Sequence, residues 1–203
     1  MSRPVVVVGA GGHAKVVIAT LRAAGRTVIG CAVRDRSEPT GHLLGVPLVA
    51  EDDLPAGAEL LLGVGDNHLR QRLAGKLVGP WTSCVHPAAT VAEGSVLGVG
   101  TLVCAGAVVQ ADARLGAHVI VNTCASVDHD CIVGDFVHVA PGARLAGDVT
   151  VELGALIGVG AAVAPKRRVG AWSIVGAGGT VVRDVPPSTT VVGVPARPIT
   201  RRS

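Results

Sequence analysis

From Val85 onward every sixth residue is aliphatic. The series runs Val85, Val91, Leu97, Val103, Val109, Leu115, Val121, Val127, Val133, Val139, Leu145, Val151, Ile157, Val163, Val169, Val175 and Val181, without one insertion. Two residues before each lies mostly Ala, Ser, Thr, Val or Cys, and three residues after each often Gly or Asp. A strand, a compact corner and a turn therefore recur every six residues. Three such hexads close one triangular turn of a parallel β-helix, so seventeen give between five and six turns. At about 4.8 Å per stacked strand the prism is roughly 25 Å long. Its final turn needs a cap. Pro186 and Pro187 interrupt the period, and residues 189–199 are expected to leave the prism as an extended tail or a covering loop.

A prism of aliphatic ladders and small corners accounts for an odd composition. Glycine supplies 28 residues, about twice its usual share, while Tyr is absent and Phe136, Trp81 and Trp172 are the only large aromatics. A net charge of +3, with no basic run longer than Lys166-Arg167-Arg168 and no aromatic platform beside it, disfavours nucleic acid as a partner. Mean hydropathy is high, yet the most apolar stretch, 96–111, is broken by Gly98, Gly100 and Gly106 and keeps the six-residue period, so membrane insertion is not expected. Met1-Ser2-Arg3-Pro4 leads into a short strand with no cleavage site behind it. Cys31, Cys84, Cys104, Cys124 and Cys131 are odd in number and lack CxxC spacing, which fits a reducing, cytoplasmic setting.

Residues 1–78 read differently, as alternating strand and helix. Val5 to Val8 is an apolar β-branched run that meets Gly9-Ala10-Gly11-Gly12-His13-Ala14, and 15–24 has helical character. Further strands are predicted over 27–33 and 59–64, a short extended piece over 43–49, and a helix over 68–77. This is a small Rossmann-like βαβ domain, joined by a linker at 79–84 to the repeats of 85–186, with 187–203 as tail or cap.

The turn at Gly9 fits G-x-G-x-x-A, with Gly9 for the tight turn, Gly11 for close approach to phosphate and Ala14 for close helix packing. His13 falls near a helix N-terminus, where free N–H groups favour an anion. No carboxylate ends the second strand, since Arg34 stands before Asp35, so an NAD-type site is not expected; the alternative is a turn needed only for chain reversal. Gly65-Asp66-Asn67 ends another strand, where Asp66 or Asn67 can meet a base or sugar, or simply cap the next helix. The repeats hold one polar island, Asn122-Thr123-Cys124-Ala125-Ser126 followed by Asp128-His129-Asp130, with His118 eleven residues before His129 and His138 nine after. A histidine flanked by carboxylates suits a general base, because an acidic partner orients the ring and raises its basicity. Its alternatives are surface decoration of a turn, or a zinc site gathered from His118, His129 and His138. Cys124 and Cys131 read as packing residues, and Lys166-Arg167-Arg168 as a solvated corner or a phosphate contact.

Taken in order, Gly9-Ala10-Gly11-Gly12-His13-Ala14-Lys15-Val16-Val17, Gly65-Asp66-Asn67, Asn122-Thr123, Asp128-His129-Asp130, Val137-His138-Val139-Ala140-Pro141 and Gly193-Val194-Pro195-Ala196-Arg197 resemble the left-handed β-helix acyltransferases of the sialic acid O-acetyltransferase and nucleotide-aminosugar N-acetyltransferase group. The likeness spans nearly the whole chain and implies an α/β Rossmann-like domain followed by a left-handed parallel β-helix. It also implies a homotrimer that uses acetyl-CoA on a nucleotide-linked amino sugar, a 4-amino-4,6-dideoxy sugar, with active sites between subunits and no bound metal. By residue matching, His129 is the general base and Asp130 its partner, His138 contacts acetyl-CoA, and Gly147 lies near the cofactor path. Gly11, Gly12 and His13 meet the nucleotide-sugar phosphates, Gly65 and Asp66 line the same pocket, and Arg34 and Asp35 stand where the family commonly has acidic residues. Acetylation of a sugar or sialic acid hydroxyl is the nearest rival; a zinc lyase resembling the β-helix carbonic anhydrases and a non-catalytic nucleotide-sensing trimer are the readings from other classes.

Overall fold

The computed structural model describes residues 3–34 and 41–199. The N-terminal region holds β1 (Val5–Val8), α1 (Gly12–Ala23), β2 (Val28–Val33), β3 (His42–Leu43), β4 (Val46–Ala50), β5 (Glu59–Leu62) and α2 (Asn67–Lys76). Its sheet runs β3-β4-β2-β1-β5. Strands β4, β2, β1 and β5 are mutually parallel, as the uninterrupted apolar runs require, while β3 folds back antiparallel on β4. The expected extended piece at 43–49 is thus a hairpin, reversed at Leu44-Gly45, both with positive φ. Beyond α2 the chain returns alongside β5, with Leu60 N–H bonded to Pro80 O and Thr82 N–H to Leu60 O.

The hexad ladder becomes a parallel β-helix with three faces. Each rung pairs with the rung eighteen residues on, as Leu102 does with Ile120 and Ile120 with His138. One face carries Cys84–Val85, Leu102–Val103, Ile120–Val121, His138–Val139, Leu156–Ile157 and Ile174–Val175. A second carries the rungs from Thr90–Val91 to Thr180–Val181, and a third those from Val96–Leu97 to Arg168–Val169. Ladder residues from Val103 to Val181 point inward and form one buried cluster with the small residues two places before them. The C-terminal segment does not simply leave the prism. Thr190–Val192 adds a parallel rung on Ile174–Val175, Arg197–Pro198 turns back antiparallel on it, and Ala196 packs against the end of the core. Pro186 and Pro187 fit over Gly170, where a Cβ would lie 2.4 Å from Pro187 N. The phase lost at these prolines is recovered within one turn.

The first face is the only one whose outward residues are mainly apolar, and the N-terminal domain covers its rungs at Cys84, Leu102 and Ile120, while Ile174 at the far end is exposed. Ala14, Val17, Ile18 and Leu21, one stripe of α1, bury against Cys84, Leu102, Cys104 and Ile120. Full burial of side chains such as Leu102 and Ile120 contributes roughly 1.5–3 kcal/mol each. Helix α2 then grips the adjacent edge. There the corner residue of each turn takes positive φ: His118 (55°), Phe136 (57°), Gly154 (66°) and Trp172 (58°). Arg70 Nε donates to His118 O at 3.2 Å, Arg70 Nη2 to Phe136 O at 2.6 Å, and Asn67 Nδ2 to Gly154 O at 3.0 Å. Two side chains of one helix thereby satisfy the same carbonyl on three successive turns. Rings complete the seam: His118 stacks on Phe136 at 5.1 Å and meets the edge of Trp81 at 4.9 Å, and His68 stacks on Trp172 at 4.0 Å. All three large aromatics of the chain stand at this contact.

Arg70→Met removes the donors while keeping an apolar stem, leaving buried carbonyls on both sides of the seam unpaired. The expected loss is about 2–4 kcal/mol in urea unfolding. A loss within about 0.5 kcal/mol, the range of an ordinary surface change, contradicts the clamp.

Candidate active site

The carboxyl ends of β1, β2 and β5 open on a cavity of about 480 Å³, lined by the turn Gly9-Ala10-Gly11, by Ala32, Val33 and Arg34, by Val64, and by Leu69 and Leu73 of α2. Gly9 has φ 112°, and a Cβ there would stand 2.9 Å from Val64. Ala14 fills its expected role, since its Cβ lies 2.9 Å from the site of a Cβ on Gly63. Helix α1 starts after Gly11 with no side-chain cap and no acidic residue in its first turn, so the N–H groups at Gly12 and His13 suit an anion. Arg34 reaches the cavity; Asp35 lies outside the described residues. Asp66 caps α2 through one carboxylate oxygen, which accepts from Leu69 N–H at 2.7 Å, and its side chain stays exposed, whereas the Asn67 amide nitrogen is spent on the seam.

Where α1, the end of β5 and the first prism face meet, His13, Gly65, Asn122 and His138 come together around Arg70. His138 continues the outward ladder of Leu102 and Ile120, one rung past the apolar contact. Its Nδ1 lies 3.2 Å from Gly65 O and its Nε2 3.0 Å from Asn122 Nδ2. A carbonyl on one side and an amide donor on the other assign the proton to Nδ1. Burial, then the Arg70 charge, then His13 push the His138 pKa down to about 3. Burial and Arg70 push His13 down to about 4, and its ring lies 5.9 Å from that of His138. His13 Nε2 is buried without a hydrogen bond among the described residues. Arg70 itself is lowered only to about 10 by burial and stays cationic.

His129 is elsewhere. It sits between Ser126–Val127 on the second face and Ile132–Val133 on the third, at the edge opposite the covered face. Asp130, at φ 59°, brings Oδ2 to 2.7 Å from His129 Nδ1, and Asp128 Oδ1 accepts from His129 N–H at 2.8 Å. The Asp130 hydrogen bond, helped by the charges of Asp128, Asp130 and Asp148, raises the pKa of this exposed imidazole. Gly147 lies directly above; a Cβ there would be 2.5 Å from Nε2. The edge therefore holds a histidine oriented through Nδ1, with Nε2 open to accept a proton.

One chain thus gathers Gly11, Gly12, His13, Gly65 and His138 on one side of the prism and His129, Asp130 and Gly147 on the other. His118, His129 and His138 occupy separate places, and among the described residues no group of three His, Cys, Asp or Glu could hold a metal. Cys131 is buried as read, whereas Cys124 is exposed at a corner. In the basic corner Arg168 pairs with Glu152 at 2.6 Å and Arg167 with Asp184 at 3.8 Å. Arg70 went unnoticed in the sequence, because an arginine on a polar helix reads as solvated.

A carboxylate-paired histidine on a prism edge and a cavity beside a helix N-terminus on the same chain fit the class of the hexapeptide-repeat acyltransferases. Comparisons with known proteins narrow this. Residues 4–77 match the PglD N-terminal domain. The chain is 33% identical over 153 residues to the GDP-perosamine N-acetyltransferase of Escherichia coli O157:H7, covering 69% of this chain and 67% of that protein. PerB from Caulobacter crescentus, solved with CoA and GDP-perosamine, matches with a TM-score of 0.88 and 42% identity over 98% of this chain and 99% of that one. The acetyltransferase domain of PglB from Neisseria gonorrhoeae FA1090 matches with 0.90 and 37% over 98% and 100%. The chain belongs to the nucleotide-aminosugar N-acetyltransferases with a left-handed β-helix.

The lowered histidines make stability depend on pH. An unfolded chain takes up protons at His13 and His138 near the ordinary 6.5, while the folded chain resists to about 4 and about 3. Stability is therefore full above 6.5 and is lost as the pH falls toward those values. Urea midpoints are expected to drop over that window, and His138→Gln is expected to flatten the slope; a parent chain with no slope there contradicts the buried neutral pair.

Proposed function

We propose that this protein transfers the acetyl group of acetyl-CoA to the amine of a nucleotide-linked 4-amino-4,6-dideoxy sugar, with a guanosine diphosphate carrier as in the perosamine enzymes it resembles. The observation that carries the reading is the His129 and Asp130 pair under Gly147, on an edge of a chain that also holds a cavity at the uncapped N-terminus of α1. Residues 1–78 bind the nucleotide sugar, 85–186 perform the transfer, and 187–203 close the far end. In the cavity, the α1 N-terminus and Gly11 and Gly12 receive the diphosphate. The sugar extends toward Gly65 and His13 at the mouth of the seam.

His129 lies across the prism from this cavity, so the His129 that serves a given sugar belongs to another copy. A homotrimer that sets the open edge of one prism against the covered face of the next joins the two halves. At that junction the amine attacks the thioester carbonyl, and His129 Nε2 takes the proton released as nitrogen bonds to carbon. The tetrahedral intermediate collapses with cleavage of the C–S bond, and the proton held by His129 is available to the departing thiolate. Asp130 holds the ring and stabilises its protonated form. His138, neutral and with both ring nitrogens held by Gly65 and Asn122, contributes shape and packing toward acetyl-CoA, not proton transfer. Free thiols at all five cysteines support a cytoplasmic setting.

His129→Ala is expected to lower turnover about 10²- to 10⁴-fold, read as thiol release and product mass with GDP-linked 4-amino sugars and free sialic acid as acceptors. An unchanged rate removes His129 from the chemistry, and turnover of sialic acid alone moves the acceptor to a hydroxyl. Because the base must be neutral, kcat/KM is expected to rise with pH through a midpoint above 6.5, and Asp130→Asn is expected to move that midpoint downward. A midpoint that ignores Asp130 contradicts its role.

A further inference from the structure

We infer that Glu51 reads the Watson–Crick edge of guanine and selects a guanosine diphosphate carrier. This rests on the nucleotide cavity proposed above and deepens it by assigning the group that chooses the base. Glu51 immediately follows β4, so its carboxylate stands at the same sheet edge as the glycine turn after β1 and Arg34 after β2. In the order β4-β2-β1 it is two strands from that turn. Two strand spacings are about 10 Å, on the scale of the ribose that separates a phosphate from its base. Glu51 lines the 480 Å³ cavity and also an adjoining one of about 220 Å³, and the two share Arg34, Leu69 and Leu73.

Glu51 is only 8% exposed, and Lys76 Nζ holds its Oε2 at 2.6 Å. An ionised carboxylate accepts hydrogen bonds and donates none, so a base seated against it must present donors. Guanine presents two side by side, N1–H and the 2-amino group, which match the two oxygens of one carboxylate. Uracil and thymine present a single N–H between two carbonyl oxygens, which a carboxylate repels, and adenine presents an acceptor at N1. Arg34 and Arg72, on the walls of the adjoining cavity, supply donors for guanine O6 and N7. Leu69 and Leu73 give the base an apolar surface, and among the described residues no Phe, Tyr or Trp lines either cavity. The selection therefore rests on the polar edge of the base and not on stacking, which would be tolerant of base identity.

The experiment is calorimetric titration of the full chain with GDP, IDP and UDP. IDP differs from GDP only by loss of the 2-amino group. The parent chain is expected to bind GDP about tenfold or more tightly than IDP, and IDP at least as tightly as UDP. Glu51→Gln is expected to bring GDP down to the IDP level while UDP affinity stays put. Lys76→Met breaks the ion pair but keeps the carboxylate, and is expected to retain the preference for GDP over IDP, which separates base reading from a structural role of the pair. Equal binding of GDP and IDP by the parent chain, or an undiminished preference in Glu51→Gln, overturns the role of Glu51 and leaves the nucleotide cavity standing. Failure of all three diphosphates to bind overturns the cavity reading itself and Glu51 with it.

Discussion

Arg70 is the residue on which both halves of the molecule depend. Among the described residues its guanidinium is buried with no ion pair to a carboxylate and spans the carbonyls of Val64, Gly65, His118, Phe136 and Val137, with the Asn67 amide oxygen as a sixth partner. A buried cation is costly unless its donors are filled. Here they are filled from both domains, so the cost of burial is met only when the domains are docked. Burial lowers the pKa values of His13, His118 and His138, and the same Arg70 charge adds to the shift in all three. One side chain thereby fixes the interdomain geometry and reinforces the burial that disfavours the charged form of the seam histidines.

The corner column explains why that arrangement is available. Left-handed backbone at the same position of successive turns places carbonyls in register eighteen residues apart, and α2 meets three of them. Side chains at such corners are strained relative to glycine, yet His118, Phe136 and Trp172 occupy three corners of this one edge. The room they need comes from glycines one turn away. A Cβ on Gly100 would lie 2.2 Å from the His118 ring, and one on Gly154 would lie 2.3 Å from the Trp172 ring. Rings at the corners and glycines between them make the edge a socket for the helix.

The period of six was legible because every turn repeats the same inward requirement, and the glycine turn because strand, turn and helix adjoin in sequence. The pairing of His129 with Asp130 was legible for the same local reason. What was not legible depends on contacts across long separations. Arg70 and Asn67 meet carbonyls 48 to 88 residues away, and backbone carbonyls leave no mark in a sequence. Asn122 looked like part of one polar island with His129, yet it faces His138 on another side of the prism. The proline interruption read as the end of the repeat because a hexad count cannot follow a change of phase, whereas the inward side chain of Val191 can still find the core.

The two kinds of histidine divide the proposed chemistry. His13 and His138 are buried beside a cation and hold shape; His129 is exposed beside carboxylates and moves a proton. Their placement on opposite sides of one prism makes the shared site the central claim. Subunits carrying His129→Ala and subunits carrying Gly11→Phe test it when refolded together. Gly11 has φ −81° and no heavy atom within 4 Å of a Cβ, so a bulky side chain there blocks the cavity without disturbing the fold. Each variant alone is expected to be nearly inactive. The mixture is expected to recover about a quarter of the parental rate, since random closed assemblies pair an intact His129 with an intact cavity at about one site in four. A mixture no more active than its components would show that each chain works alone, and would contradict the account.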